Sequence, residues 1–329
     1  MVWITFIVSA AVIAFAASVL ARYGDVIGTR TGVGGVFIGV LLMASVTSIP
    51  EFLTILNSIQ EGVPNLAVGN LMGSNLFNIM LLAVVDLAGN NHRFLRRESH
   101  RHALSGSLAL LMISLVIVFI LADLDVMVGP VGLDSLILIG VYIIGVYLLR
   151  RDSQHASKKP REPEPIPEDM PSMRRAVIGF AIAAAVLVFA NPIMVRSAET
   201  IADITGLGSS FVGATLVALV TSLPEVVATT TAVRIGAAGM AIGNLFGSNM
   251  FNMMLIGPAD IFYLQGRFIS VVDPTFLLVG AMGMVMNCVA LVGNVARLEK
   301  RLWKFEFDAT ALLILYIISL VILYSRGVG

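Results

Sequence analysis

The chain has almost nothing with which to do redox or transition-metal chemistry: one cysteine, Cys288, and four histidines in 329 residues. A single thiol excludes an internal disulfide and any cysteine-based zinc or iron site within one chain. Charge is equally scarce. Asp, Glu, Lys and Arg make up 13% of the residues, against roughly 25% in a soluble domain. The 21 basic residues balance the 21 acidic ones, so no basic face for nucleic acid is expected. What remains is apolar, 57% of the chain with a mean hydropathy of +0.92. Such a composition describes a polytopic membrane protein. At roughly 20 apolar residues per spanning helix, the length is used up by about ten spans, with no room for a separate soluble domain.

The apolar runs predict spans near 2–21, 33–59, 65–87, 103–122, 133–149, 176–195, 209–233, 239–261, 271–294 and 307–325. Met1, Val2 and Trp3 form no basic flank, so the first run is expected to be a retained helix rather than a signal peptide. The two most basic connections, His92 to His102 and Arg150 to Arg175, are separated by two spans and therefore lie on one side. If that side is cytoplasmic, 18 of the 21 Lys and Arg fall inside and only Arg196, Arg267 and Arg326 outside, with both termini outside. The chain then divides into a first five-span repeat (1–150), a solvated, proline- and charge-rich cytoplasmic linker (151–175) and a second repeat (176–329).

Two stretches are nearly the same. TSIPE ends at Glu51 and GNLMGSNLFN at Asn78; TSLPE ends at Glu225 and GNLFGSNMFN at Asn252, and corresponding positions lie 174 residues apart without a gap. From Arg22 to Leu81 and Arg196 to Leu255 nearly half the positions match, which points to duplication. Because each half holds an odd number of spans, the second copy sits upside down. The expected fold is thus an all-α polytopic membrane protein of about ten transmembrane helices in two inverted five-helix repeats, with motif segments at 33–87 and 209–261.

Each motif puts chemistry into lipid. A charge at mid-bilayer costs about 2.5–3.5 kcal/mol on the lenient insertion scale, so Glu51 and Glu225 are expected to face the protein interior with a function there. Pro50 and Pro224 should break their helices and release carbonyls around Ala44–Thr47 and Ala218–Thr221, since proline donates no hydrogen bond. Ser74 and Asn78 share a helix face, as do Ser248 and Asn252. Asn75 and Asn249 are weaker candidates, and Asn70 and Asn244 are set aside as helix glue. Every donor in the set is an oxygen, which favours hard cations such as calcium or sodium over zinc, copper or iron. Two carboxylates with no Lys or Arg in a central span call for about two positive charges, which one calcium supplies and which sodium ions or protons could replace. A cation channel is the alternative of another class; an intramembrane enzyme lacks a nucleophile with a base.

The paired TS(I/L)PE and GNxxGSNxFN motifs resemble the two α-repeats of the sodium/calcium exchanger family. The resemblance implies calcium exchanged for sodium by alternating access, with the first and sixth spans sliding past a core of the second, third, seventh and eighth. It implies that Glu51 and Glu225 are the main calcium carboxylates, helped by Thr47 and Thr221. Ser48, Ser74, Ser222, Ser248 and the carbonyls of Ala44 and Ala218 would form flanking sodium sites, with Asn78 and Asn252 lining the centre. Calcium/proton exchange is the alternative. Many members carry glycine where this chain has Val46 and Val220, and asparagine at both 78 and 252 resembles the potassium-independent branch. No cofactor is implied; the partners are inorganic cations and the lipid bilayer, and the transport unit is a monomer.

Overall fold

The structure is a computed structural model and describes residues 1–88, 99–157, 170–205, 219–296, 301–302 and 305–325. Helix α1 runs over Val2–Thr31 and stops at Gly32, whose left-handed φ of 65° costs a residue without Cβ nothing. The second span is built in pieces: α2 (Gly35–Ile38), a π turn (Gly39–Met43), α3 (Ala44–Thr47) and α4 (Ile49–Gln60), which carries Pro50 in its first turn. Then come α5 (Pro64–Ala88), α6 (Ser99–Ala122), a two-residue hairpin of β1 (Met127–Val128) and β2 (Val131–Gly132), and α7 (Leu133–Ser157). The second half holds α8 (Met173–Thr205), α9 (Leu223–Arg234, opened by Pro224) and α10 (Ala238–Phe262). It closes with α11 (Phe276–Ala296), the pair β3 (Arg301–Leu302) and β4 (Phe305–Glu306), and α12 (Phe307–Ser325).

Each of the ten expected spans overlaps described helix, the seventh only from residue 219 onward. Among the described residues, seven helices are long and apolar enough to cross a membrane by length and composition. Helix α10 has the length, 25 residues, but Asn244, Ser248, Asn249, Asn252 and Asp260 lower its hydropathy. The expected boundaries shift where polar residues continue a helix. α1 carries on ten residues past its apolar run, with Arg22 and Asp25 riding on it until Gly32 ends it. α11 starts at Phe276 rather than 271, because Asp273 accepts from the backbone N–H of Thr275 at 2.8 Å and so caps the turn ahead of it.

Apolar surface left on the outside marks where lipid must be. Phe15 on α1 and Phe189 on α8 are 73% and 74% exposed, an arrangement stable only against hydrocarbon. Inside, the buried side chains form two clusters. One gathers α5, α6, α7, α10, α11 and α12 around residues such as Leu71, Met112, Leu138 and Phe246. The other belongs to α1 and α8, whose small residues Ala17, Ala21, Ala183 and Ala190 let the two helices lie close, and it touches the rest through Ala228, Ala232 and Met240. Spans one and six are thus packed on each other more than on the core.

Two features hold the core. Where α2 and the π turn cross α10, backbone meets backbone: a Cβ on Gly243 would stand 2.5 Å from the Val36 carbonyl oxygen, and one on Gly39 would stand 2.7 Å from Asn244 N. At one end, Arg267, 4% exposed, bonds Asp134 at 2.8 Å and Asp123 at 2.5 Å. Asp260 accepts beside it from the N–H groups of Gly132 at 2.8 Å and Phe268 at 2.5 Å, which ties the hairpin to the α10–α11 connection.

Candidate functional site

The two broken helices bring their motifs together in the middle of the molecule. At the first break Ser48 N–H reaches Ala44 O at 3.0 Å, and the next main-chain bond across it is Phe52 N–H to Ser48 O at 3.3 Å. Proline at position 50 has no N–H to give the carbonyl of Val46, four residues back, and no main-chain bond to the Thr47 carbonyl bridges the break among the described residues. Ala44 is different: its carbonyl was expected to be released, yet it stays bonded to Ser48 N–H and also accepts from Thr47 Oγ1 at 3.4 Å. The release falls at the end of the ladder, not a full turn before it. At the second break the ladder resumes with Val226 N–H to Ser222 O at 3.1 Å. Ala218 lies outside the described residues, so its expected role has no structural counterpart here.

The other candidate ligands named from the sequence are buried at this centre, whereas Val46 and Val220 beside them are partly exposed. Glu51 and Glu225 are 0% and 1% exposed, and Thr47, Ser48, Ser74, Thr221, Ser222 and Ser248 are fully covered. Ser74 Oγ donates to Glu51 Oε1 at 3.1 Å, and Ser48 Oγ donates to Glu225 Oε1 at 3.3 Å, so a first-repeat hydroxyl holds the second-repeat carboxylate. Ser222 Oγ donates to Ser74 Oγ at 3.3 Å, and Thr47 Oγ1 lies 3.5 Å from Ser248 Oγ. Three of these four contacts cross between the repeats, and they set hydroxyls of each repeat against groups of the other.

Asn70 and Asn244, set aside in the sequence, belong to it too. Thr221 Oγ1 donates to Asn70 Oδ1 at 3.3 Å, and Thr47 Oγ1 donates to Asn244 Oδ1 at 3.4 Å. The signal was present: 70, 74 and 78 on α5, like 244, 248 and 252 on α10, stand four apart and make one polar stripe per helix. The π turn at Gly39–Met43, one step ahead of the first break, carries no compositional mark and was not foreseen.

Four oxygens stand out. Glu51 Oε2, Glu225 Oε2, Asn78 Oδ1 and Asn252 Oδ1 are buried and have no hydrogen-bond donor among the described residues. An unsatisfied buried acceptor costs about 1–3 kcal/mol, more when charged, so four at symmetry-related positions are a concentrated expense that a hard cation relieves. No group of three or more His, Cys, Asp or Glu is found among the described residues, so the donor set is one for an oxygen-seeking ion.

A cavity of about 240 Å³ opens beside this centre, between α4 and α8. It is lined by Pro50, Thr54, Asn57, Ser58, Asn191 and Arg196 among others, and it reaches the residue next to Glu51. The corresponding seam of the other repeat is shut: Ala228 and Ala232, the counterparts of Thr54 and Ser58, are fully buried in the α1 cluster. Thr231, the counterpart of Asn57, bonds Ser18 of α1 at 3.2 Å.

Inverted repeats of broken helices that meet in a buried, oxygen-lined centre define a secondary transporter. Residues 1–150 and 175–325 match the sodium/calcium exchanger protein family, and the chain belongs to it. It is 26% identical over 240 residues, 70% of each chain, to the putative antiporter CaxA of Alkalimonas amylolytica. It is 21% identical over 299 residues, 88% of this chain and 84% of the other, to the Ca(2+)/H(+) antiporter ChaA of Bacillus subtilis. The fold is that of the sodium-calcium exchanger NCX_Mj, soaked with 2.5 mM Na+ and 10 mM Sr2+: the TM-score is 0.70 at 21% identity, over 98% of this chain and 99% of that one.

Proposed function

We propose that the chain is an antiporter that carries calcium across the membrane in exchange for sodium, by alternating access to one site shared between the repeats. The observation that carries this reading is the set of four donor-less oxygens, one carboxylate and one amide from each repeat. Glu51 and Glu225 neutralise one divalent ion, the Thr47 and Thr221 carbonyls add oxygen, and Asn78 and Asn252 line the centre. The hydroxyls of Ser48, Ser74, Ser222 and Ser248, with the carbonyls of Ala44 and Ala218, serve sodium. The Ala44 carbonyl accepts from Ser48 N–H and from Thr47 Oγ1, and its second lone pair is open to a cation when the single Thr47 hydroxyl proton goes to Asn244 Oδ1 instead.

Two buried carboxylates without a cation are costly to carry between the two sides, so the empty site resists turning over while the loaded one does not. That coupling makes the protein an exchanger rather than a channel. α1 and α8, packed chiefly on each other, are the moving pair; the cavity between α4 and α8 is the open route, and the seam of α9 with α1 is the closed one. The basic connections and the linker face the cytoplasm, both termini and the cavity face outward, and a single chain holds the whole transport unit.

Calcium against protons would use the same two glutamates, and it is the competing reading. A proton needs one oxygen and no cage, so the four site serines favour sodium. The test is calcium flux into proteoliposomes with sodium, potassium and proton gradients imposed separately. Uptake driven by sodium alone is expected. Uptake driven by a proton gradient without sodium would replace this ion pair with calcium/proton exchange, and uptake with no counter-ion on the far side would make the protein a channel.

A further inference from the structure

Asn75 on α5 and Asn249 on α10 face each other across the pseudo-twofold axis in a closed reciprocal arrangement. Asn75 Nδ2 donates to the main-chain carbonyl of Asn249 at 3.4 Å, and Asn249 Nδ2 donates to the main-chain carbonyl of Asn75 at 3.3 Å. A carbonyl only accepts, so these two contacts fix which end of each amide is nitrogen. The other ends are therefore oxygens, and each is used. Asn252 Nδ2 donates to Asn75 Oδ1 at 3.1 Å, and Asn78 Nδ2 donates to Asn249 Oδ1 at 3.0 Å. With their nitrogens taken, Asn78 and Asn252 keep Oδ1 as the free end, and those are two of the four donor-less oxygens.

We infer that Asn75 and Asn249 are positioning residues: each fixes the amide of the opposite repeat's site asparagine so that it presents oxygen, not N–H, to the transported cation. The inference rests on the proposed cation site, and it gives that site a preference the four liganding groups do not secure by themselves. An asparagine free to rotate by half a turn would offer a cation its NH2 as readily as its oxygen. All four asparagines are at most 3% exposed, so no bulk water competes for these bonds. The clamp also makes the site indivisible, because repeat one orients Asn252 and repeat two orients Asn78.

The test is a double-mutant cycle on the full chain in proteoliposomes, read as the half-saturating calcium concentration for radiolabelled calcium uptake. Asn75→Ala is expected to raise it about tenfold, the loss of one buried hydrogen bond's worth of orientation. In an Asn252→Asp background the same substitution should bring no loss of affinity, because a carboxylate presents oxygen at both ends, needs no orienting and has no proton to give Asn75 Oδ1. A residue that only packs α5 against α10 would cost the same factor in both backgrounds, and that result overturns the clamp. The mirrored cycle, Asn249→Ala with Asn78→Asp, carries the same expectation, and Asn75→Ser replaces Asn75→Ala should the latter not yield folded protein. If the unsubstituted chain shows no saturable calcium uptake, the exchanger reading falls and the clamp with it. Saturable uptake with equal factors overturns the clamp alone.

Discussion

Glu225→Gln separates charge from shape at the centre. Glutamine keeps an oxygen to accept from Ser48, whose bond to Glu225 Oε1 is 3.3 Å, and places an NH2 where the donor-less Oε2 stands. The cation then meets one carboxylate, Glu51, in place of two and a donor in place of a ligand. Breaking a buried charge pair by removing one partner costs about 3–5 kcal/mol, which corresponds to roughly a hundredfold to several-thousandfold weaker calcium binding. Transport should fall below detection at calcium concentrations that saturate the unsubstituted protein. The ion-free protein should not lose stability, since Oε2 has no hydrogen bond to give up; a thermal melt in detergent without calcium checks this. Initial rates of radiolabelled calcium uptake across a range of calcium concentrations provide the measurement. A half-saturating concentration within about threefold of the unsubstituted value, less than 1 kcal/mol, with normal maximal rate, would refute the assignment of Glu225 as a calcium carboxylate.

Gly243→Ala should lower the melting temperature by an amount equivalent to about 1–3 kcal/mol, because its Cβ would stand 2.5 Å from the Val36 carbonyl, whereas Gly140→Ala on α7 has nothing within 4 Å and should be neutral or slightly stabilising. Equal melts for the two would mean that α2 and α10 do not cross as closely as described. Arg267→Met leaves Asp134, fully buried, without its guanidinium and should cost about 3–5 kcal/mol in a detergent melt. Adding Asp134→Asn should restore most of it, and a double variant no better than the single would contradict the pairing. In a Cys288→Ser background, Asn57→Cys, which lines the cavity, should react with a membrane-impermeant thiol reagent from the side that carries Arg196. Thr231→Cys, at the sealed seam beside Ser18, should be protected, and equal labelling would show that both seams are open.

The sequence carried the placement of the spans and most of the centre because both rest on simple periodicities. Apolar runs of membrane length stand apart from polar connections, and the exact 174-residue offset made each polar motif residue confirm its counterpart. What it did not carry has identifiable causes. Asn70 and Asn244 read from sequence as helix glue, because amides so often hold membrane helices together, although their spacing to Ser74 and Ser248 puts them on the same face. The proline rule located the breaks but overreached at Ala44, because the missing N–H at Pro50 deprives only the carbonyl of Val46, four residues back, while Ala44 keeps its bond from Ser48 N–H. The π turn and the additional turns of α1 have no residue signature: a helix extends through Arg22 and Asp25 until a glycine with positive φ stops it.

Symmetry in this molecule is kept in one place and broken in another. Along the axis, the Asn75 and Asn249 bonds are reciprocal, with Asn78 and Asn252 attached in matching fashion. Around the carboxylates the match fails. Ser74 holds Glu51 and Ser48 holds Glu225, but Ser248, the counterpart of Ser74, lies against Thr47, and Ser222, the counterpart of Ser48, donates to Ser74. The seams differ in the same sense, one holding a cavity and the other closed over Ala228 and Ala232. Two seams open at once would leak, so an exchanger that opens one must keep the other shut. Applying the 174-residue relation to these contacts gives their counterpart set, Ser248 to Glu225 and Ser222 to Glu51, with the α9 seam open and the α4 seam closed. Under the proposed alternating access, the hydroxyl partners and the α1–α8 pair are what change between the two sets, while the asparagine bonds at the axis map onto themselves.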